Sequence, residues 1–208
     1  MTVSGKAIHI LGGGGHAKVA VATAEAAGIA VAAVYDDDVA KIGSHLIGHK
    51  IVGAVSSTTW WLEADAVGLI AIGSNHVRQQ MAAEYPARWQ SLVHPTAWIH
   101  PSVKIGAGTL VCAGAIIQPD AIIGAHCIVN TGAVIEHDCQ IGDFAHLGPT
   151  SCLAGAVSVG EGVLLGAGAV VMPAIQIGAW SVVGAGAAVA ADVADRVTVA
   201  GVPARPIV

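Results

Sequence analysis

The chain has 208 residues, with nine Lys and Arg against 14 Asp and Glu, and a formal net charge of −5 at pH 7. So few cations argue against nucleic acid as a partner. Hydrophobic residues make up 54% of the chain, but no run of 18 apolar residues lacks Gly and polar residues, so we predict no membrane span. The opening MTVSGKAIHI lacks the pattern of a signal peptide, and we expect a cytoplasmic protein.

The first part of the chain alternates predicted strands with predicted helices. Apolar stretches predict strands at 7–11, 29–35 and 66–72, and the remaining pattern predicts helices at 16–27 and about 75–85. This βαβ pattern is that of a half-Rossmann-like α/β domain, with too few strands for a whole doubly wound fold.

A glycine loop connects the first strand to the first helix. Gly12, Gly14 and Ala17 match the G-x-G-x-x-A spacing, in which glycines let the backbone approach a phosphate at the start of a helix. A tight turn without a ligand is the alternative, and a half-fold has little room for the second mononucleotide of NAD. The loop residues predicted to contact a nucleotide are Gly12, Gly14, Gly15 and His16.

Polar residues follow the second and third strands at the edge where such sheets bind ligands. Asp36 or Asp37, about twenty residues beyond the loop, can accept a hydrogen bond from a ribose hydroxyl or a base N–H. Ser74 and Asn75 follow the third strand, and Arg78 is a candidate phosphate partner. An exposed helix cation is the equally open alternative for Arg78.

From about residue 91 the pattern has a period of six, which fits neither an α-helix nor a two-faced strand. This period is typical of a hexapeptide β-helix, in which three hexads close one triangular coil of 18 residues around an aliphatic interior. We therefore expect a left-handed parallel β-helix. The aliphatic residues at every sixth position are Val93, Ile99, Ile105, Val111, Ile117, Ile123, Val129, Ile135, Ile141, Leu147, Leu153, Val159, Leu165, Val171, Ile177, Val183 and Val189.

The domains are thus predicted to be 1–90, a nucleotide-binding βαβ domain, and 91–208, the β-helix with a C-terminal tail. Tryptophans 60, 61, 89 and 98 are expected to cover part of the junction between them. The four cysteines, at 112, 127, 139 and 152, have spacings that match no zinc pattern, so we predict packed thiols and no metal.

One hexad carries three consecutive polar residues, Glu136, His137 and Asp138, where most hexads have small corner residues. A histidine beside a carboxylate can act as a general base. Gly155 is 18 residues later and should stack on His137, where its N–H can stabilise an oxyanion. His146 and His126 are weaker candidates, which could line the groove that contains His137 if that groove lies between subunits.

These residues resemble a known family, the sialic-acid O-acetyltransferase and bacillosamine N-acetyltransferase branch of the hexapeptide-repeat sugar acyltransferases. The similarity covers nearly the whole chain. It depends on GGGGHAKV at 12–19, YDDD at 35–38, AIGSN at 71–75 with Arg78, NTGAVIEHDCQIGDFAHLGP at 130–149, LAG at 153–155 and AGVPAR at 200–205.

The resemblance implies a role for each matching residue. His137 would be the catalytic base, Asp138 its orienting acid with Glu136 adjacent, and Gly155 the donor to the oxyanion. Members of the family are homotrimers that bind acetyl-CoA in clefts between neighbouring β-helices, and their N-terminal domains bind a nucleotide-activated sugar. The residues assigned to the acetyl-CoA site on this basis are His146, Gly155, Ala167, Gly201, Pro203 and Arg205, the last three toward the adenine.

We therefore expect an acetyl-CoA-dependent N-acetyltransferase that acetylates an amino group, at position 4, of a nucleotide-linked amino sugar, without an acyl-enzyme. Sugar O-acetylation and a non-catalytic nucleotide-sugar scaffold are the alternatives. The half-fold disfavours a NAD oxidoreductase, and no two histidines have the five-residue spacing of a γ-type carbonic anhydrase. The base (UDP, GDP or dTDP) and the sugar stay open.

Overall fold

The computed structural model describes residues 7–207, which begin with an α/β unit. The sheet has the strand order β3-β4-β2-β1-β5, parallel except for the short β3–β4 hairpin, which the sequence analysis did not predict. The three predicted strands and two predicted helices are present, with ends shifted by at most two residues. The elements are β1 (Ile8–Leu11), α1 (Gly15–Ala26), β2 (Val31–Tyr35), β3 (His45–Leu46), β4 (His49–Gly53), β5 (Val67–Ile70) and α2 (Asn75–Glu84).

The rest of the described chain is a parallel β-helix, as the six-residue period predicts. Strands pair with those 18 residues away, as in Ile135 opposite Leu153, and form three sheets that are the faces of a prism. The strands are β6 (Leu92–Val93), β7 (Trp98–Ile99), β8 (Lys104–Ile105), β9 (Leu110–Val111), β10 (Ile116–Ile117), β11 (Ile122–Ile123), β12 (Ile128–Val129), β13 (Val134–Ile135), β14 (Gln140–Ile141), β15 (His146–Leu147), β16 (Cys152–Leu153), β17 (Ser158–Val159), β18 (Leu164–Leu165), β19 (Val170–Val171), β20 (Gln176–Ile177), β21 (Val182–Val183), β22 (Ala188–Val189), β23 (Thr198–Ala200) and β24 (Arg205–Pro206).

The interior of the prism contains the periodic aliphatic residues. From Val111 to Val189 each of them is at most 4% exposed. Ile99 and Ile105 are partly buried against this core, whereas Val93, in the first coil, is 36% exposed because no coil precedes its own. Cys127 and Cys139 are inward-facing, buried thiols, and all four cysteines are free.

Each corner of the prism contains one left-handed residue. From Gly108 to Gly186 the third residue after every aliphatic one has φ between 54° and 70°, whether or not it is glycine. The left-handed backbone conformation is unfavourable for residues other than glycine, because their Cβ crowds the backbone. Hydrogen bonds between coils compensate for it, as where Asp138 N–H donates to Pro119 O (3.1 Å) and Ala156 N–H to His137 O (2.9 Å).

The three faces differ in what covers them. The domain face (β6, β9, β12, β15, β18, β21, β23 and β24) carries the α/β unit, and Leu92, Leu110 and the corner residue Cys112 are buried in that unit's core. The apolar face (β7, β10, β13, β16, β19 and β22) and the third face (β8, β11, β14, β17 and β20) are not covered by any described residue. Neither helix of residues 7–207 is long and apolar enough to cross a membrane.

Arg78 on α2 connects the two domains. Its side chain is 1% exposed, and its five N–H groups have five acceptors, so the guanidinium is saturated. The acceptors are the carbonyls of Ile72, Gly73, His126 and Phe144 and Oδ1 of Asn75. Asn75 in turn donates to the carbonyls of Gly162 and Val163, so four coil carbonyls hold α2 in place.

Aromatic rings complete the junction. Trp60 contacts Trp61 and Trp89, with ring centroids 5.9 and 6.3 Å apart, and Trp89 lies 5.3 Å from His126. Trp98 does not belong to this cluster, because it projects from the apolar face with 49% exposure. The expectation for Trp98 was therefore wrong, since adjacency in sequence gives no information on which face of a coil a residue occupies.

We predict that Arg78→Met lowers the free energy of unfolding by at least about 3 kcal/mol, because it leaves buried carbonyls at the junction without donors. Arg88→Met is the matched control, since Arg88 is exposed. Chemical denaturation of both variants measures the difference. Equal stability of the two variants would contradict the role of Arg78.

Candidate active site

A cavity of about 270 Å³ opens at the carboxyl ends of β1 and β5. Parallel α/β sheets bind ligands at this edge. The lining residues are Gly12, Gly14, Gly15, His16, Asp36, Lys41, Ala71, Ile72 and Gly73. The structure thus brings the predicted loop and Asp36 together around one space.

The glycines of the loop differ in their surroundings: the first two lie too close to neighbouring atoms for a side chain, and the last two border open space. Gly12 has φ +116°, and a Cβ there would lie 2.9 Å from Ile72 Cγ1, while a Cβ at Gly13 would lie 2.7 Å from Ile51 Cδ1. Gly14 and Gly15 have no heavy atom within 4 Å of an added Cβ. Gly14 is also the N-cap of α1, with no side-chain cap, so the first N–H groups of the helix are available to a ligand.

The two predicted carboxylates differ in position. Asp36 accepts from Gly13 N at 2.6 Å and Asp38 N at 2.8 Å, and its Oδ2 lies 3.1 Å from Lys41 Nζ. Burial raises its pKa, but these hydrogen bonds outweigh burial and hold the pKa below its ordinary value. Asp37 instead accepts from the N–H and Oγ of Ser56 and does not line the cavity.

The predicted site residues that follow β5 also differ in where their side chains point. Ser74 is exposed, and its Oγ accepts from Val77 N at 3.5 Å as the cap of α2. Asn75 and Arg78 point to the β-helix, and Arg78 has no donor left for a phosphate. The geometry therefore disfavours the predicted phosphate contact of Arg78 and substrate contact of Asn75, because docking on the coils uses both side chains.

His146 lies on the cavity side of the β-helix. Its Nδ1 is 3.4 Å from Gly73 O and its Nε2 is 3.1 Å from Asn130 Nδ2, which favours the tautomer with the proton on Nδ1. The His16 ring is 6.1 Å away. Burial, followed by the charge of Arg78, lowers the pKa of both histidines to about 4, so both are neutral at pH 7.

His137 occupies the corner between the apolar face and the third face. Its Nδ1 is 2.8 Å from Asp138 Oδ2, and both side chains are 61% exposed. The hydrogen bond that His137 donates to the Asp138 carboxylate raises the pKa of His137 above its ordinary value, as does the charge of Glu136. With Nδ1–H donated to the carboxylate, Nε2 has the free lone pair.

Gly155 lies directly against the His137 ring, as the 18-residue spacing predicts. A Cβ at Gly155 would be 2.7 Å from both Cε1 and Nε2 of His137, so a larger residue would displace the imidazole. Within residues 7–207 the Gly155 N–H has no hydrogen-bond acceptor. A base with a free lone pair therefore lies beside an unused N–H donor.

The two parts of the site are far apart within one chain. In a triangular prism, the corner between the apolar face and the third face is opposite the domain face. His137 is at that corner, while the glycine cavity and His146 are at the domain face. One chain alone therefore does not bring the base to the cavity, and His146 does not join His137.

The other four predicted acetyl-CoA residues lie elsewhere on the prism. Ala167 is exposed at the corner between the domain face and the apolar face. Gly201 and Pro203 are in the turn between β23 and β24, and Arg205 in β24 lines a cavity of about 320 Å³ at the end of the prism. No group of three or more His, Cys, Asp or Glu among the described residues is placed to hold a metal ion.

Lys41 is a site residue that the sequence analysis missed. It lies in the 3₁₀ turn Val39–Lys41, six residues beyond β2, and lines the glycine cavity. No motif marks it, because an irregular turn has no period. Its distance of five residues from Asp36 was the one available signal.

The chain matches known protein families and solved structures over most of its length. Residues 7–85 match the PglD N-terminal domain, and residues 102–137 and 156–191 match the bacterial transferase hexapeptide repeat. PerB from Caulobacter crescentus, in complex with CoA and GDP-perosamine, is 42% identical with a TM-score of 0.91, covering 98% of each chain. A variant of perosamine N-acetyltransferase from the same organism gives 41% identity, 98% and 97% coverage and a TM-score of 0.91.

Two further similarities extend the comparison. The acetyltransferase domain of PglB from Neisseria gonorrhoeae, in complex with acetyl coenzyme A, is 32% identical over 98% of this chain and 100% of that one, with a TM-score of 0.88. Uncharacterized protein L142 of Acanthamoeba polyphaga mimivirus is 31% identical over 105 residues. This match covers 50% of the chain and 21% of that curated relative, so the chain spans about a fifth of its length.

The fold and the site define a hexapeptide-repeat transferase with an α/β N-terminal domain. The chain belongs to the sialic-acid O-acetyltransferase and bacillosamine N-acetyltransferase family of hexapeptide-repeat sugar acyltransferases, as its motifs predict.

His126 is part of the domain junction and lines no open groove. It is 5% exposed, stacks on Phe144 with ring centroids 5.3 Å apart, and its buried Nδ1 has no described partner. Burial, followed by the charge of Arg78, lowers its pKa to about 4. A lowered pKa means that the unfolded chain binds the proton first as pH falls, so the stability from neutral His126 is full above pH 6.5 and decreases toward pH 4.

We predict that His126→Phe stabilises the protein at pH 5 relative to wild type, by about 1–2 kcal/mol, with little change at pH 8. Phe144 shows that phenylalanine is accepted at the equivalent corner one coil later. Denaturation at both pH values measures this, with exposed His45→Phe as control. The same difference at both pH values would show that packing, and not titration, is the cause.

Proposed function

We propose that this protein is an acetyl-CoA-dependent N-acetyltransferase that acetylates an amino group, at position 4, of a nucleotide-linked amino sugar. The observation that carries the proposal is the His137–Asp138 pair, packed on Gly155 with Nε2 free. Carboxylate-oriented imidazole and an unused N–H donor are the two groups that acyl transfer to an amine requires. The acetyl-CoA and amino-sugar complexes of the similar enzymes support the same chemistry.

The reaction needs no covalent acyl-enzyme. The unprotonated amine attacks the thioester carbonyl, the new C–N bond forms, and His137 Nε2 takes the amine proton. The Gly155 N–H stabilises the oxyanion, which then collapses with cleavage of the C–S bond and release of CoA thiolate. The nearby imidazolium can return its proton to the thiolate, and the charge of Asp138 stabilises that imidazolium.

The glycine cavity is the proposed site of the nucleotide. Gly14 and Gly15 leave open space at the first N–H groups of α1, where a diphosphate can accept hydrogen bonds. Asp36 also lines this space and stays a candidate for the ribose. GDP-perosamine in the similar Caulobacter structure makes GDP-linked amino sugars the first substrates to test.

Acetyl-CoA is proposed to lie along the prism from the His137 corner toward the β23–β24 hairpin. Three coils separate His137 from that end, about 15 Å at the usual strand spacing. Arg205 is exposed there and can pair with a phosphate of the cofactor. Ala167 lies at the corner that a neighbouring chain would present to the same groove.

A homotrimer is the proposed assembly, because the site is incomplete in one chain. The outward residues of the apolar face are all apolar, and Trp98, Ile116 and Val170 are 49%, 36% and 45% exposed. Burying this face against a second copy would place His137 of one chain near the corner beside the glycine cavity of the next. Three copies of a prism close such a ring.

The decisive test of the activity is a panel of GDP-, UDP- and dTDP-linked 4-amino sugars with acetyl-CoA, measured by released thiol. Acetylation of at least one amine is expected. Release of thiol only with the corresponding 4-hydroxy sugars would replace this proposal with O-acetylation, and no transfer to any acceptor would leave a binding protein.

We predict that His137→Ala lowers kcat by about 10²- to 10⁴-fold, with little change in KM for acetyl-CoA. Asp138→Asn should cost less, because it removes the orienting charge but keeps the base. His146→Ala should fall between wild type and His137→Ala. Steady-state kinetics at saturating sugar nucleotide are compared after the assembly of each variant is verified, and His137→Ala with more than about a tenth of wild-type kcat would refute the base.

We also predict that mixing two inactive variants restores activity. Gly14→Val fills the open space at the nucleotide loop without a clash inside the chain, so it should block the sugar nucleotide and spare acetyl-CoA binding. When Gly14→Val and His137→Ala chains are unfolded and refolded together, each mixed trimer has one site with a native base and a native cavity. Activity of the mixture no higher than that of the separate variants would contradict a shared site, and a monomer in light scattering would contradict the trimer.

A further inference from the structure

The charges of the described residues that line the glycine cavity sum to zero. Of the described residues that line it, Asp36 is an anion, His16 is held neutral, and Lys41 alone is a cation. Arg78, the other cation nearby, donates every N–H to the protein. The Asp36 carboxylate would repel a nucleoside diphosphate entering this cavity, and Lys41 is the lining cation that offsets this repulsion.

The Lys41 ammonium is held by two carboxylates that follow β2. Its Nζ is 3.1 Å from Asp36 Oδ2 and 3.7 Å from Asp38 Oδ2. The same Asp36 oxygen accepts the Gly13 N–H at 2.6 Å, so the ammonium and the glycine loop share one acceptor. The Lys41 side chain is 39% exposed, which leaves an N–H of the ammonium free to reach a ligand.

We propose that Lys41 binds the diphosphate of the nucleotide, together with the N–H groups at the start of α1. The proposal rests on the proposed function of the cavity and adds the residue that provides charge recognition there. An ammonium is a compact point charge with three donors, suited to diphosphate oxygens whose exact angle varies. Recognition of the diphosphate then does not depend on the nucleobase, which must be selected elsewhere in the cavity.

The experiment compares Lys41→Met with Lys50→Met by isothermal titration calorimetry. Lys50 is on β4, exposed and outside the cavity, so its variant makes the same charge change without the contact. The ligands are GDP, UDP and dTDP, followed by the nucleoside of the one that binds best, with acetyl-CoA as a further control. Lys41→Arg tests rescue, and thermal denaturation establishes that each variant is folded.

We expect Lys41→Met to weaken the diphosphate by about 10- to 100-fold, the usual effect of losing a charge-assisted hydrogen bond. The nucleoside and acetyl-CoA should bind unchanged, Lys50→Met should match wild type, and Lys41→Arg should recover most of the affinity. Two results would overturn the role of Lys41 without affecting the proposed function of the cavity. One is an unchanged diphosphate affinity of folded Lys41→Met, and the other is an equal weakening of diphosphate and nucleoside binding. If wild type binds none of the diphosphates, the proposed function of the cavity fails as well.

Discussion

The stacking of residues 18 positions apart is the constraint on which the rest of the structure depends. Because coils repeat at strand spacing, each corner side chain lies on the corner of the adjacent coil, and three large rings lie against a glycine there. The His126 ring occupies the space above Gly108, Trp180 that above Gly162, and His137 that beside Gly155. The candidate base is therefore positioned by the same packing rule as the structural rings, and the rule also leaves the Gly155 N–H beside it.

A second consequence is the separation of base and nucleotide cavity. Once the α/β unit covers one face of a three-sided prism, the opposite corner is the one farthest from it. The hydrogen bonds of Arg78 and Asn75 to four coil carbonyls determine which face the α/β unit covers. In the proposed trimer, the site that needs both parts would be formed between chains, and the apolar face would give the contact area for it. The proposed catalysis and the proposed assembly thus both depend on how the α/β unit docks on the β-helix.

The sequence predicts what is periodic or local, and the structure adds what depends on docking. The six-residue period predicts the interior of the prism and the contact of His137 with Gly155, and the glycine spacing predicts the loop. No local pattern shows whether Arg78 on α2 faces solvent or the coils, because that depends on contacts 48 and 66 residues away. Lys41 and the β3–β4 hairpin lie in segments where neither period nor motif is informative, and the run Asp36–Asp38 does not show which carboxylate lines the cavity.

Burial and, after it, the charge of the guanidinium explain the charge state of the histidines around Arg78. Arg78 lies among His16, His126 and His146, and its charge adds to burial in keeping all three imidazoles neutral. Neutral rings pack beside a cation without repulsion, and the donors that carry the charge of Arg78 all end on protein oxygens. That charge is unavailable to a ligand. In the proposed nucleotide site, the phosphate would therefore be bound by the helix N–H groups and by Lys41, whose carboxylate partners Asp36 and Asp38 follow β2.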